Sequence, residues 1–439
     1  MQKYPTYHKN YENAPQDDME FRFAVMSRTV PSIIRKGYAF TGWYAEPECK
    51  TKVEPDPYAE ADYYAGWRPW TDEERERYEN YIEVITEAKY IIARPKAYTW
   101  ESFLPFFFYA NKLIFEYERF SRPLDDDADR LLAGLATTKE KLIQVMDPEK
   151  SIWYIWGNNG ENMPQEKDAA DYDYFYRFDY PGFKPCIVPF MLPDQSKVKG
   201  NIVVIAGGGF SLRWNQTEGY CVAEEFNKRG YNAFVLQRRL VPSPRLDALL
   251  DLQRAVRYLK YNAEKYGIGA IEHIATNGYS GGGGTIIGAL EECYGLRTPN
   301  EFYPDYVCDE IDLINSDYDA ALLIYGGFAP RQTGNKNLPA IFAAVGARDS
   351  LILRDGFARF EPFTDLLCSN PEIDLELHIF AGTEHGFGTG YAVVEQLYSP
   401  SVAYIGTDRW MDLADDFLQV RFGLIPRIYK KGCRPVPMY

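Results

Sequence analysis

The chain has 439 residues, 46% of them hydrophobic and 25% charged, which suits two or three folding units with a large core. Lys and Arg number 48 against 63 Asp and Glu, a formal charge of −15, and so acidic a surface repels phosphate backbones and anionic lipid, leaving neutral small molecules or oligosaccharides as the expected partners. The seven cysteines are odd in number and form no C-x-x-C pair, so neither a disulfide framework nor a zinc site is expected.

No apolar run reaches the roughly 18 residues of a membrane span. Residues 1–30 lack the apolar core of a signal peptide, so a cytoplasmic location is expected unless a leader has been removed. Aromatic residues make up 16% of the chain; such rings stack on sugars, and they also fill cores.

Residues 1–17 read as a polar arm that carries His8. A small β unit follows, up to about residue 70. Met19 to Val25 alternates with period 2, as a half-buried strand does. Residues 71–165 read as a helical segment. Thr71-Asp72-Glu73-Glu74 is an N-cap followed by acidic residues, and Asp125-Asp126-Asp127 begins another helix. Pro95, Pro105 and Pro123 are expected to divide the segment.

From residue 166 to 439 the pattern changes. Tyr172 to Tyr180 and Cys186 to Phe190 read as strands. Strands are then expected at 201–206, 231–236, 271–276, 320–325, 340–345 and 375–380. Helices are expected at 217–229, 246–266 and 283–294, and near 356–367. This alternation predicts a mostly parallel, doubly wound sheet with helices on both faces.

Gly278-Tyr279-Ser280-Gly281-Gly282 fits G-x-S-x-G and falls between a predicted strand and a predicted helix. There the glycines permit a tight turn that exposes a nucleophilic serine. A serine needs a base, and the base an orienting acid. Of the four histidines, His8 lies in the arm, and His273 and His378 fall within predicted strands. His385 alone follows a strand end, where a general base is expected. Asp349 ends the preceding strand and is the expected acid; Asp355 and Glu384 are weaker alternatives. The oxyanion donors are expected from Gly208 and Gly209, in the Ala206-Gly207-Gly208-Gly209-Phe210 loop, and from Gly281 after the serine.

Residues 198–390 resemble the acetyl xylan esterase-like (feruloyl/acetyl esterase) branch of the α/β-hydrolase superfamily. The matching stretches are 206–210, 230–236, 250–256, the serine elbow, 339–349 and 376–388. The resemblance implies removal of short acyl groups from carbohydrate hydroxyls by Ser280, His385 and Asp349, with no metal or organic cofactor. The sequence departs from the family at Ala206, where His or Pro is usual, and at Gly281, where Ala is usual. The segment around Arg35–Tyr44 and Tyr63–Trp67 resembles a single internalin-type B repeat, a β-grasp-like module found on bacterial surface proteins.

Two other readings share these features. A prolyl-oligopeptidase-like peptidase has the same elbow but usually carries a far larger propeller in front. A docking or adhesion protein with a vestigial hydrolase domain would use the β repeat. Homo-oligomerisation is compatible with all three readings.

Overall fold

The computed structural model describes residues 5–12, 14, 30–31, 33, 35–119, 123–165, 179–180, 182–241, 243–326, 338–349, 365–366, 368, 370, 373–389 and 407–426. The expected strand at 19–25, most of the one at 172–180, most of the helix near 356–367, and Asp355 lie outside these residues.

A four-stranded sheet comes first. It is built from β1 (Thr6–His8), β2 (Tyr38–Tyr44), β3 (Lys52–Val53) and β4 (Asp62–Pro69), in the order β1-β4-β2-β3. The arm expected at 1–17 therefore contributes a strand. Its His8 bonds Asp62 at 2.9 Å and stacks on Tyr64. Tyr7, Trp43, Tyr63 and Ala65 form the small core of this sheet.

Three helices follow: α1 (Asp72–Ile92), α2 (Trp100–Leu113) and α3 (Asp126–Lys139). Thr71 and Glu74 make a reciprocal capping box at the start of α1. Asp125 caps α3 by accepting the Ala128 N–H at 3.0 Å. Pro105 does not divide the segment, because it lies inside α2. It is the sixth residue of α2, where its missing N–H forfeits the bond to the carbonyl of Glu101 and its ring crowds that carbonyl, yet the helix runs on to Leu113.

The main sheet has eight strands: β5 (Trp153–Tyr154), β6 (Cys186–Phe190), β7 (Asn201–Ile205), β8 (Asn232–Gln237), β9 (Ile274–Tyr279), β10 (Ala320–Ile324), β11 (Ala340–Gly346) and β12 (Leu375–Phe380). Their order is β12-β11-β10-β9-β7-β8-β6-β5, parallel from β12 to β8 and antiparallel through β6 and β5. The helices are α4 (Cys221–Lys228), α5 (Arg245–Tyr261), the short α6 (Ala263–Tyr266), α7 (Gly281–Glu292) and α8 (Trp410–Arg421).

Both faces of the sheet's middle are covered, which is why strands such as β7, β10 and β11 read as near-continuous apolar runs. Ile202 and Val204 of β7 face a core shared with α4, α8 and the helical segment. Val203 and Ile205 face a second core shared with α5 and α7. Each such side chain, fully buried, contributes about 1.5–3 kcal/mol.

The helical segment packs on the first of these layers. The Tyr220 hydroxyl donates to the carbonyl of Ile92 at 2.7 Å, and the Phe107 ring lies 5.6 Å from that of Tyr220. Phe115 and Trp214 meet with ring centroids 4.7 Å apart. Among the described residues, no helix is long and apolar enough to cross a membrane.

Candidate active site

The chain order reverses direction across the sheet between β7 and β9. In open α/β sheets such a switch point forms a crevice outside the carboxyl ends of the strands. The strand before the serine runs from Ile274 to Tyr279, three residues later than expected. His273 consequently precedes the strand, where its ring stacks on Phe422. Ser280 then sits between β9 and α7 with φ 46° and ψ −117°, a left-handed conformation that costs a non-glycine residue about 1–3 kcal/mol. The turn is tight because α7 begins hard against the sheet: a Cβ on Gly282 would lie 2.0 Å from the carbonyl oxygen of Ile205.

His385 lies in the turn after β12. Its Nε2 is 2.9 Å from Ser280 Oγ, and its Nδ1 is 2.8 Å from Asp349 Oδ2. The Asp349 side chain is fully buried, whereas that of His385 is one-fifth exposed. A buried carboxylate facing Nδ1 fixes the tautomer: Nδ1–H donates to Asp349, and Nε2 accepts the serine proton. Asp349 is held by the Gly346 turn, and the Arg348 N–H donates to the carbonyl of Thr383 at 2.8 Å. That bond ties the turn carrying the acid to the turn carrying the base. Glu384 is exposed. His378 lies within β12 and bonds Glu376 at 2.6 Å.

The glycine loop follows β7. Gly208 has φ 115° and Gly209 φ 61°. A side chain at Gly208 would also strike the Leu212 carbonyl oxygen at 2.3 Å. A Cβ on Gly281 would lie 2.9 Å from the Gly209 nitrogen, so the loop amide and the start of α7 are adjacent. As the first helical residue, Gly281 has an N–H with no intrahelical acceptor. The structure thus brings Ser280, His385, Asp349, Gly209 and Gly281 to one place, with Gly208 in the same loop.

Three further residues at this place do not stand out in the sequence. Glu218 lies in a π-helical turn, Gln216–Tyr220, that leads into α4. Its buried carboxylate accepts the Gly207 N–H at 2.7 Å and the Tyr325 hydroxyl at 2.8 Å. Burial pushes the carboxyl up, and these two donors oppose that shift. Tyr325 directly follows β10, and its ring meets His385 edge-on at 4.8 Å. Arg238, after β8, donates through Nε to Thr285 Oγ1 at 3.0 Å, which in turn donates to the carbonyl of Gly281. Burial lowers the Arg238 guanidinium to about 9. The one available signal for Glu218 is an acidic residue on the inward face of a predicted helix.

Sheet order, elbow and serine–imidazole–carboxylate geometry together define an α/β-hydrolase. Residues 189–296, about a quarter of the chain, match the model of the BD-FAE family.

The chain is similar to an endo-1,4-beta-xylanase B of Butyrivibrio fibrisolvens, at 35% identity over 127 residues, which is 28% of this chain and 18% of the relative. It is also similar to an acetylxylan esterase of Xylanibacter ruminicola, at 24% identity over 215 residues, 45% of this chain and 43% of the relative. The chain thus spans less than half the length of either curated relative. Among solved structures, it is similar to an acetyl ester-xyloside bifunctional hydrolase from Caldicellulosiruptor lactoaceticus. That likeness has 21% identity and a TM-score of 0.48, over 63% of this chain and 97% of the other.

Proposed function

We propose that the protein is a serine esterase that removes short acyl groups, acetyl foremost, from carbohydrate hydroxyls. The observation that carries this reading is the continuous relay from Ser280 Oγ to His385 Nε2 and from Nδ1 to Asp349, at 2.9 and 2.8 Å.

In the proposed mechanism, Ser280 Oγ attacks the acyl carbon while His385 Nε2 takes the hydroxyl proton. Asp349 holds the ring and stabilises the imidazolium. The carbonyl oxygen gains negative charge as the tetrahedral centre forms. The N–H groups of Gly208, Gly209 and Gly281 donate to it, each well-placed donor being worth roughly 10²–10³ in rate. His385 then gives its proton to the departing sugar oxygen, leaving an acyl-serine. Water then attacks the acyl carbon as His385 takes its proton, and His385 passes that proton to Ser280 Oγ as the acyl–serine bond breaks, releasing the carboxylic acid and the free serine.

The carbohydrate part of the reading is supported by the acetylxylan esterase and the xylanase to which the chain is similar. The test is acetate release from acetylated xylo-oligosaccharides and from an aryl acetate, by the wild type and by Ser280→Ala. Turnover of both by the wild type and of neither by the variant supports the proposal. Full activity in Ser280→Ala overturns the mechanism, and turnover of the aryl acetate alone overturns the carbohydrate assignment.

A further inference from the structure

Glu218 and Tyr325 form a buried strap across the site. Glu218 Oε2 accepts the Gly207 N–H at 2.7 Å, and Oε1 accepts the Tyr325 hydroxyl at 2.8 Å. The same hydroxyl oxygen accepts the Gly388 N–H at 2.9 Å. Gly207 begins the glycine loop, and Gly388 lies three residues beyond His385. One carboxylate and one phenol therefore join the loop facing the oxyanion to the loop carrying the base. Gly207 is wedged between the two sides: a Cβ there would come within 2.6 Å of Glu218 Oε2 and 2.9 Å of Ser280 Cβ.

Two costly features meet in this strap. A carboxylate is taken fully out of water, where it persists only if its lone pairs are satisfied. Tyr325 has φ 35°, a conformation rare for a bulky residue and retained only where its surroundings impose it. Its own N–H is fixed to the carbonyl of Ala344 at 2.7 Å. Glu218 also lies in a π-helical turn, a distortion that recurs at functional sites.

We propose that Glu218 is a positioning residue: through Gly207 it sets the glycine loop against Ser280, and through Tyr325 it fixes the His385 loop in register with that loop. It touches neither substrate nor reacting atoms. The inference rests on the esterase reading above and adds to it what holds the two halves of the site together.

The test uses the full chain, an aryl acetate as substrate and a fluorophosphonate as a probe of Ser280. Glu218→Gln keeps an oxygen for the Gly207 N–H and a polar group for Tyr325. It is expected to fold and to retain kcat within about tenfold of the wild type. Glu218→Ala is expected to lower kcat by about 10²-fold, the size of one misplaced oxyanion donor. Its KM should change by less than threefold, and fluorophosphonate labelling should slow in proportion to kcat. Tyr325→Phe cuts the strap at its other end and is expected to lower kcat by about tenfold with KM kept.

Glu218→Ala that folds and turns over at the wild-type rate overturns the proposal. So does Glu218→Gln losing as much as Glu218→Ala, since charge rather than position would then be at stake. If Glu218→Ala does not fold, Tyr325→Phe decides, and wild-type kcat in that variant overturns the proposal. A wild type that neither labels nor hydrolyses the ester overturns the parent reading instead, which keeps the two failures apart.

Discussion

The backbone N–H of Ser280 donates to the carbonyl oxygen of Ile324, 3.2 Å away. Ile324 is the last residue of β10, so the serine is pinned to the neighbouring strand while its own strand turns into α7. The same turn is pressed against β7 through Gly282. Because that contact is with backbone, no rotamer change can relieve it. Gly282→Ala should cost at least about 1–3 kcal/mol, the usual penalty of overpacking. Urea unfolding would show it, and a variant as stable as the wild type would contradict the geometry.

Asp349→Asn should leave the fold intact and lower kcat by about 10⁴ with a small effect on KM. The amide can donate to Nδ1 and so favours the tautomer that cannot accept the serine proton. Steady-state hydrolysis of an aryl acetate is the measurement. Activity within tenfold of the wild type would remove Asp349 from its proposed role.

Gly208→Ala should be inactive or nearly so. Its φ of 115° and the Leu212 carbonyl oxygen both exclude a side chain, and any relief moves the loop away from the serine. The expected loss in kcat is at least about 10²-fold, and fluorophosphonate labelling of Ser280 should slow with it.

Glu74 gives a pH-dependent prediction. Arg68 bonds it through both terminal nitrogens at 2.8 and 2.7 Å, and with the Thr71 N–H holds its carboxyl at about 2, against an ordinary 4.5. The folded value lies below the unfolded one. The stabilisation is therefore complete above pH 4.5 and is lost as pH falls from there toward 2. Both partners are partly exposed, so water screens the pair and its net worth is below about 1 kcal/mol. Glu74→Gln should be less stable than the wild type at pH 7 by that margin. The gap should narrow in urea titrations at pH 3, and a gap that widens would refute the assignment.

Arg254 predicts a larger effect. It is buried between Asp309 and Asp312, at 2.6 and 2.7 Å, and donates to the carbonyl of Ile155 at 2.7 Å. Arg254→Met should cost about 3–5 kcal/mol, because it leaves the fully buried Asp312 carboxylate, beside the partly exposed Asp309, without its cation. Denaturant unfolding would measure it, and the triple variant Arg254→Met, Asp309→Asn, Asp312→Asn should recover part of the loss.

Ser280, Asp349 and His385 could be picked out of the sequence because each follows an apolar run that ends in turn residues. Strand limits were less legible. Asn277, Gly278 and Tyr279 look like turn residues, yet they continue β9 because β7 and β10 flank them and both faces are covered. The capping box at Thr71 is local chemistry and was readable. Pro105 misleads, because a proline signals a break unless its place within the helix is known. The Glu218–Tyr325 bond joins residues 107 positions apart, and no local pattern encodes such a pairing. His8 reads as part of an arm in the sequence because the three-residue strand Thr6–His8 is too short for periodicity to register.

The meeting of Phe115 with Trp214 bears on how small this protein can be made. The Trp214 N–H donates to the carbonyl of Gly207, so a ring from the helical segment backs the turn that steadies the glycine loop. A fragment beginning after residue 150 would strip that backing and bare the apolar surface around Tyr220 and Phe190 to water. Trimming the chain to the main sheet should therefore discard part of the scaffold that backs the glycine loop.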